Sequence, residues 1–180
     1  MSSAIKILPY YTYQDYCHWE GKWELIEGFP YAMSPAPIPK HQIVSLNLAA
    51  EFRAALKECS SCKTILPIDY KINEDTILQP DILVVCDKIT KKFLDFPPAL
   101  VVEILSPATA IKDRNTKYTI YESQQIPYYL IVDIDKEIIE VYQLTNGAYS
   151  LKETGNNFTY NFSLLHECVA SIDFSQIWAA

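Results

Sequence analysis

The stretch ALVVEILSPATAIKDRNTKYTIY, residues 99–121, decides how the rest of the chain is read. Its first half, Leu100-Val101-Val102-Glu103-Ile104-Leu105, is a short apolar run rich in β-branched residues and bounded by Pro98 and Pro107. Such a run predicts a buried strand. Glu103 stands in its middle, and a carboxylate there needs a cation, a metal or several donors, because burying it unpaired is costly. A helix is expected next, from about Thr109 to Gln124, with Pro127 beyond it as a stop signal. It carries Asp113, Arg114 and Lys117. Glu103 therefore either forms a structural ion pair with Lys117 or Arg114, or belongs to a catalytic site.

Upstream, residues 9–20 predict a short helix capped by Thr12. Residues 22–33, KWELIEGFPYAM, predict a hairpin or a sharply bent strand about Gly28. SPAPIP, residues 34–39, is too rich in proline for helix or central strand. Residues 41–57 predict a long helix whose apolar side is Ile43, Leu46, Leu48, Ala50, Phe52, Ala55 and Leu56. Cys59 to Cys62 forms its exit turn, and residues 64–72 form a strand interrupted by Pro67. Residues 78–85, LQPDILVV, form the next strand.

Downstream, YYLIVD (128–133) reads as another buried strand. After it come alternating hairpins over residues 138–162, with Asn146-Gly147 as a two-residue turn signal. A short C-terminal helix capped by Asp173 closes the chain. The order helix, three strands, helix, strand over residues 41–133 predicts one mixed sheet flanked by helices, an α/β or α+β fold. Residues 1–180 are expected to form a single domain: an N-terminal helix and hairpin (9–33), a core (41–133) and a β-hairpin extension (138–162).

The totals narrow the function classes. A net charge of −7 argues against a protein that coats DNA through a basic surface. No apolar run reaches the ~18 residues of a membrane span, and MSSAIKILPYY lacks a signal-peptide layout, so a cytoplasmic location is expected. Five cysteines, Cys17, Cys59, Cys62, Cys86 and Cys168, are expected as reduced thiols. Cys59-Ser-Ser-Cys62 is one C-x-x-C, and a structural zinc site needs two further ligands, which the three histidines do not offer as a close pair.

Asp81, after Pro80 at the start of one apolar strand, and Glu103, inside the next, can converge if the strands pair, because side chains alternate faces. Two converging carboxylates bind a hard cation such as Mg²⁺ or Mn²⁺, which activates water and neutralises charge on a phosphodiester. Lys117 adds a positive charge, and Asp113, Lys117 and Tyr121 share one helix stripe. Asp81 is also readable as a strand-entry turn residue, the lesser of its two readings, and Asp113 reads better as a first-turn helix acid than as a ligand.

WELIEG (23–28), SPAP then His41, QPDILVV (79–85), LVVEILSPAT (100–109), DRNTKY (113–118) and YYLIVD followed by VYQL occur here in a fixed order. In that order they resemble the Uma-two family of restriction endonucleases, within the PD-(D/E)xK nuclease superfamily. The resemblance covers residues 13 to about 151. It implies a restriction-endonuclease-like mixed sheet and a Mg²⁺- or Mn²⁺-dependent endonuclease acting on nucleic acid, with DNA expected and a homodimer as the expected assembly. Asp81 and Glu103 are implied as metal ligands and Lys117 as the catalytic cation. The superfamily's usual lysine would fall at Leu105, which is apolar here, so the resemblance implies its migration to the helix. The family pattern also has acids at Glu24 and Glu27; Glu24 is preferred for the site, and His41 either contacts the site or only caps a helix. The rival readings are a catalytically inactive nuclease-fold binding protein and a thiol or zinc protein built on Cys59 and Cys62.

Overall fold

The structure, a computed structural model, describes residues 8–33, 36–107 and 109–178. Ser34 and Pro35 of the proline loop, Ala108 and both chain ends lie outside the described residues. The elements run α1 (Tyr13–Tyr16), β1 (Trp23–Ile26), β2 (Phe29–Ala32), α2 (Pro39–Ala55), β3 (Lys63–Ile65), β4 (Tyr70–Lys71), β5 (Ile77–Leu78), β6 (Ile82–Val85) and β7 (Leu100–Ile104). A π-helical turn (Lys112–Lys117) leads into α3 (Tyr118–Ser123), followed by β8 (Tyr128–Asp133), β9 (Ile138–Thr145), β10 (Ala148–Gly155), β11 (Thr159–Ser163), β12 (Val169–Asp173) and a 3-10 helix (Phe174–Trp178).

The main sheet has the order β10-β9-β8-β7-β6-β3. It is mixed: β7 and β8 run parallel, joined by the π turn and α3 as a crossover, and its other pairs are antiparallel. This is the expected α+β architecture. The expected late hairpins divide. β9 and β10 extend the main sheet, while β11 and β12 form a separate two-stranded sheet.

Two predicted strands are each broken into two. Residues 64–72 become β3 and β4, and residues 78–85 become β5 and β6, with the members of each pair in different sheets. The breaks fall at Pro67 and Pro80, whose missing N–H cannot serve a ladder. The second sheet, β2-β1-β5-β4, is antiparallel and brings the N-terminal hairpin beside the main one. Its turn has Glu27 and Gly28 both at positive φ (50° and 78°), the conformation of a tight two-residue hairpin loop. A Cβ at Gly28 would run into the Tyr10 ring, so this glycine is required for space as well as conformation.

Alternation along β6, β7 and β8 divides the core by face. Ile82, Val84, Leu100, Val102, Leu130 and Val132 pack toward α2, joined by Phe162 and Phe174 from the C-terminal segment. Leu83, Val85, Val101, Leu105 and Ile131 pack toward Tyr121 and Tyr149 on the other face. The buried stripe of α2 is His41, Val44, Leu48 and Phe52, a recurrence of three and four. Ile43, Leu46 and Ala50, expected on the apolar side, are exposed. The residues C-terminal to Ser171 begin in β12, and the expected helix starts only after Asp173, which accepts the Ser175 N–H at 3.0 Å as a cap.

The cysteines depart from the expectation of reduced thiols. Cys59 is joined to Cys168 and Cys62 to Cys86 as disulfides, leaving Cys17 free and exposed. Nothing in the local sequence signals these pairings, because the partners are separated by 109 and 24 residues. No helix among the described residues is long and apolar enough to cross a membrane.

Candidate active site

The antiparallel register of β6 and β7 sets Ile82 opposite Val102, so its continuation brings Asp81 opposite Glu103. Both line one cavity of about 400 Å³, together with His41, Gln79, Lys112, Asp113 and Lys117. Glu103 is 3% exposed. Its Oε1 accepts from Lys117 Nζ at 2.8 Å and from the Tyr121 hydroxyl at 2.6 Å. Asp81 Oδ2 accepts the backbone N–H of Ile104 at 2.8 Å, and His41 Nε2 stands 3.6 Å from it.

Lys117 is the hub. Its ammonium lies 2.8 Å from Glu24 Oε1, 2.8 Å from Glu103 Oε1 and 3.5 Å from Asp113 Oδ1. Glu24, on β1, is wholly buried; it also accepts the Gln79 backbone N–H at 3.0 Å and pairs with Lys112. Glu27 sits exposed in the hairpin turn, so of the two acids only Glu24 reaches this cluster. Arg114 turns elsewhere, pairing with Glu140 at 2.7 Å. His41 reaches the cavity rather than only ending a helix, which leaves Pro39 as the first residue of α2.

Charge neighbours set the proton affinities here. Burial opposes the Lys117 charge, but Glu103, Glu24 and Asp113 outweigh it and hold its pKa well above the usual lysine value. Burial raises the Glu103 carboxyl well above its ordinary range; Lys117 opposes that rise, while Asp113, Asp81 and Glu24 add to it. Burial also raises Asp113. Glu24 goes the other way, because Lys117 and Lys112 together overcome its burial and lower it. His41 is raised: burial works against its charge and Asp81 wins.

Sequence reasoning missed Lys112, and Asp113, expected as a first-turn helix acid, stands in the first turn of the π helix and faces Lys117. On a regular α-helix Lys112 and Lys117 would point about 140° apart. The π-helical turn over residues 112–117 closes with the wider i to i+5 spacing, which lets both lysines reach Glu24. The same turn buries Asp113 to 1% exposure, and its Oδ1 has no hydrogen-bond partner. Tyr129 anchors the turn from below by donating to the Asp113 carbonyl at 3.0 Å. The short Thr109-to-Lys117 sequence carries no sign of a π turn, and only the crowding of Asp113, Arg114 and Lys117 hinted at a special segment.

As it stands, the chain gathers no group of three or more His, Cys, Asp or Glu that could hold a metal ion, among the described residues. Mg²⁺ does not require one, since it is ordinarily held by one or two carboxylates completed by water and phosphate oxygens. Four carboxylates, Asp81, Glu103, Asp113 and Glu24, face two ammonium groups, Lys112 and Lys117. That surplus of negative charge, with an Asp113 oxygen that accepts no hydrogen bond and has Lys117 only at 3.5 Å, fits a hard divalent cation.

Comparison with known proteins bears on the family and the fold. A family model, Uma2, described as "Putative restriction endonuclease", matches residues 11–170. An uncharacterized protein, slr1290, of Synechocystis sp. (strain PCC 6803) is 31% identical over 143 residues, covering 74% of each chain. The crystal structure of a protein from Anabaena variabilis, titled a "putative nuclease belonging to DUF820", superposes with a TM-score of 0.73 at 16% identity. That match covers 93% of this chain and 97% of the other, and at this identity it establishes a shared fold.

Proposed function

Because the chain belongs to the Uma2 family, we propose that its cavity hydrolyses phosphodiester bonds of nucleic acid, DNA in the first instance, with Mg²⁺ or Mn²⁺. The observation that carries this reading is the buried Lys117 ammonium held among Glu103, Glu24 and Asp113, beside Asp81 in one open cavity. An ion pair that only fixes a helix to a sheet needs one carboxylate and no cavity. Gathering several titratable groups with displaced pKa values in a cleft points to chemistry.

Asp81 and Glu103 would hold the cation, which when bound activates water and offsets phosphate charge. Lys117 stays charged across the working pH range and is placed to stabilise negative charge developing on the phosphate. Tyr121 and Lys117 together fix the rotamer of Glu103, while Ile104 N–H and His41 orient Asp81. Glu24, with Lys112 on its other oxygen, positions Lys117. Residues 1–180 act in this reading as one nuclease domain, and a second copy of the chain would supply the cut in the opposite strand.

Incubating the chain with supercoiled plasmid and Mg²⁺ or Mn²⁺ tests the reading. The expected result is metal-dependent nicking that is lost in Glu103→Ala. Cleavage without metal, or equal cleavage by the variant, sinks it. A second reading, a nuclease-fold binding protein without turnover, is favoured by one observation: Lys117 and Lys112 already neutralise much of the carboxylate charge. Calorimetry that finds no Mn²⁺ binding dependent on Asp81 would favour this second reading.

A further inference from the structure

A second cavity, of about 290 Å³, shares one residue, Gln79, with the carboxylate site. Tyr13, Tyr16, Trp19 and Trp23 line it, together with the carboxylate of Asp69 and the amide of Gln79. Strand register brings the last two together. β4 and β5 run antiparallel with Tyr70 opposite Leu78, so one step outward sets Asp69 opposite Gln79. Gln79 Nε2 donates to Asp69 Oδ1 at 2.7 Å, and the Tyr16 hydroxyl donates to the same oxygen at 2.8 Å. Asp69 is half-buried, yet among the described residues it has no ion pair and its Oδ2 accepts no hydrogen bond. Lys71, two residues on, turns instead to Glu74 and to the face of the Tyr13 ring, 4.3 Å from its centroid.

We propose that this cavity binds an organic cation of guanidinium type, the end group of an arginine side chain or of a free alkylguanidine. A half-buried carboxylate without a counter-charge is costly, and Tyr16 and Gln79 hold this one in place by a single oxygen, leaving the other for a ligand. The aromatic wall is not core packing: α1 buries none of its residues, and Trp19 and Trp23 are only half-buried. Trp19 stands 5.6 Å from Tyr16 and 5.4 Å from Trp23 between ring centroids, so the three rings form one continuous surface. Aromatic faces attract cations. A guanidinium is planar and weakly hydrated, and it can stack on a ring while its N–H groups reach a carboxylate at the edge. An ammonium is compact and strongly hydrated, and it loses more water on entering such a wall.

This cavity is not an extension of a nucleic-acid path. Asp69 repels a phosphate backbone, and the net charge of −7 favours the approach of a cation. Trp23 and Glu24 are successive residues of β1 and face opposite ways. Trp23 therefore lines this cavity while Glu24 joins the Lys117 cluster. The proposal stands or falls independently of the nuclease reading.

The test titrates the full chain with N-acetyl-argininamide and follows tryptophan emission. Saturable binding at about millimolar concentration is expected, with the uncharged citrulline analogue at least about 10-fold weaker for want of a charge-assisted hydrogen bond. Asp69→Asn keeps an oxygen for Tyr16 and Gln79 but loses the charge, and should weaken binding by a similar factor. Asp87→Asn, which removes an exposed charge elsewhere, should leave it unchanged. Cys17 lines the cavity, is exposed and lies outside both disulfides, so the arginine amide should slow its alkylation and the citrulline amide should not. If Asp69→Asn fails to fold, the alkylation of the unaltered chain still decides. A capped Gly-Gly-Arg-Gly-Gly peptide separates the two sources: binding within a few-fold of the monomer admits an arginine of a protein chain, and binding of the monomer alone assigns the site to free guanidino compounds. Equal responses to the arginine and citrulline amides, tighter binding of N-acetyl-lysinamide, or undiminished binding by Asp69→Asn overturns the proposal.

Discussion

Replacing Lys117 with methionine removes a group that touches Glu24, Glu103 and Asp113 together. Met keeps most of the side-chain volume, so the cost is chiefly electrostatic. Breaking a buried pair by removing one partner costs about 3–5 kcal/mol, because a charge is left uncompensated. The structure supplies a ceiling. Glu24 retains Lys112 and the Gln79 N–H, so Glu103, left with Tyr121, is the carboxylate that must change. It can take up a proton, and from an ordinary pKa of about 4.3 this costs about 3.7 kcal/mol at pH 7 and about 1 kcal/mol at pH 5. Lys117→Met is therefore expected to destabilise the chain by about 3 kcal/mol at pH 7 and by about 1 kcal/mol at pH 5. The sign follows from linkage: Lys117 holds the Glu103 carboxyl down, so without it the folded-state pKa of Glu103 rises further, and the variant's relative stability is greatest at low pH and smaller as pH rises. Urea unfolding at the two pH values measures it. Lys117→Met combined with Glu103→Gln should recover most of the loss, since a neutral amide needs no cation. A loss below about 1 kcal/mol at pH 7, or the same loss at both pH values, would refute the reasoning.

Other expectations follow from the same geometry. The buried phenols of Tyr121 and Tyr129 have pKa values raised well above normal, burial being the main cause, and Tyr13 and Tyr142 are raised to about 12. Their neutral forms contribute stability in full below the unfolded value of about 10, and that contribution is lost as pH rises further; spectrophotometric titration should show a cooperative alkaline transition, not independent ionisations. Arg114→Ala should cost no more than about 1 kcal/mol in urea unfolding and leave cation binding unchanged by calorimetry, because Arg114 pairs with half-buried Glu140 away from the cavity. Reduction should lower stability, the Cys59–Cys168 link alone closing a 109-residue separation worth about 4–5 kcal/mol of chain entropy; thermal unfolding with and without dithiol measures it.

What the sequence disclosed was whatever depends on near neighbours. The apolar run around Glu103 marks β7 because a five-residue buried strand has few polar positions to confuse it. Thr12, Asn146-Gly147 and Asp173 mark a helix start, a hairpin and a cap because each acts within three or four residues. What it concealed depends on distant partners or a changed helical pitch. Residues 78–85 read as one strand with Pro80-Asp81 near its start, whereas Pro80 is the point where the chain leaves one sheet for another and so presents Asp81 to the cavity. Ile43 and Leu46 look like core residues by composition, yet the stripe that α2 buries runs through His41 and Val44 instead. The 3.6-residue period places Asp113 on one stripe with Lys117 and Tyr121, as found, but it does not predict that the wider turn at 112–117 also brings Lys112 to Glu24.

The account's central claim is that Asp81 and Glu103 together hold a catalytic cation beside Lys117. Its most direct test is a crystal of the chain soaked in Mn²⁺ and measured for anomalous scattering. One manganese peak within coordination distance of Asp81 and Glu103, with the Lys117 ammonium retained in the same cavity, is the predicted result. A cavity without a peak at saturating Mn²⁺, or a peak held by other residues while Lys117 still bridges Glu24 and Glu103, would contradict it.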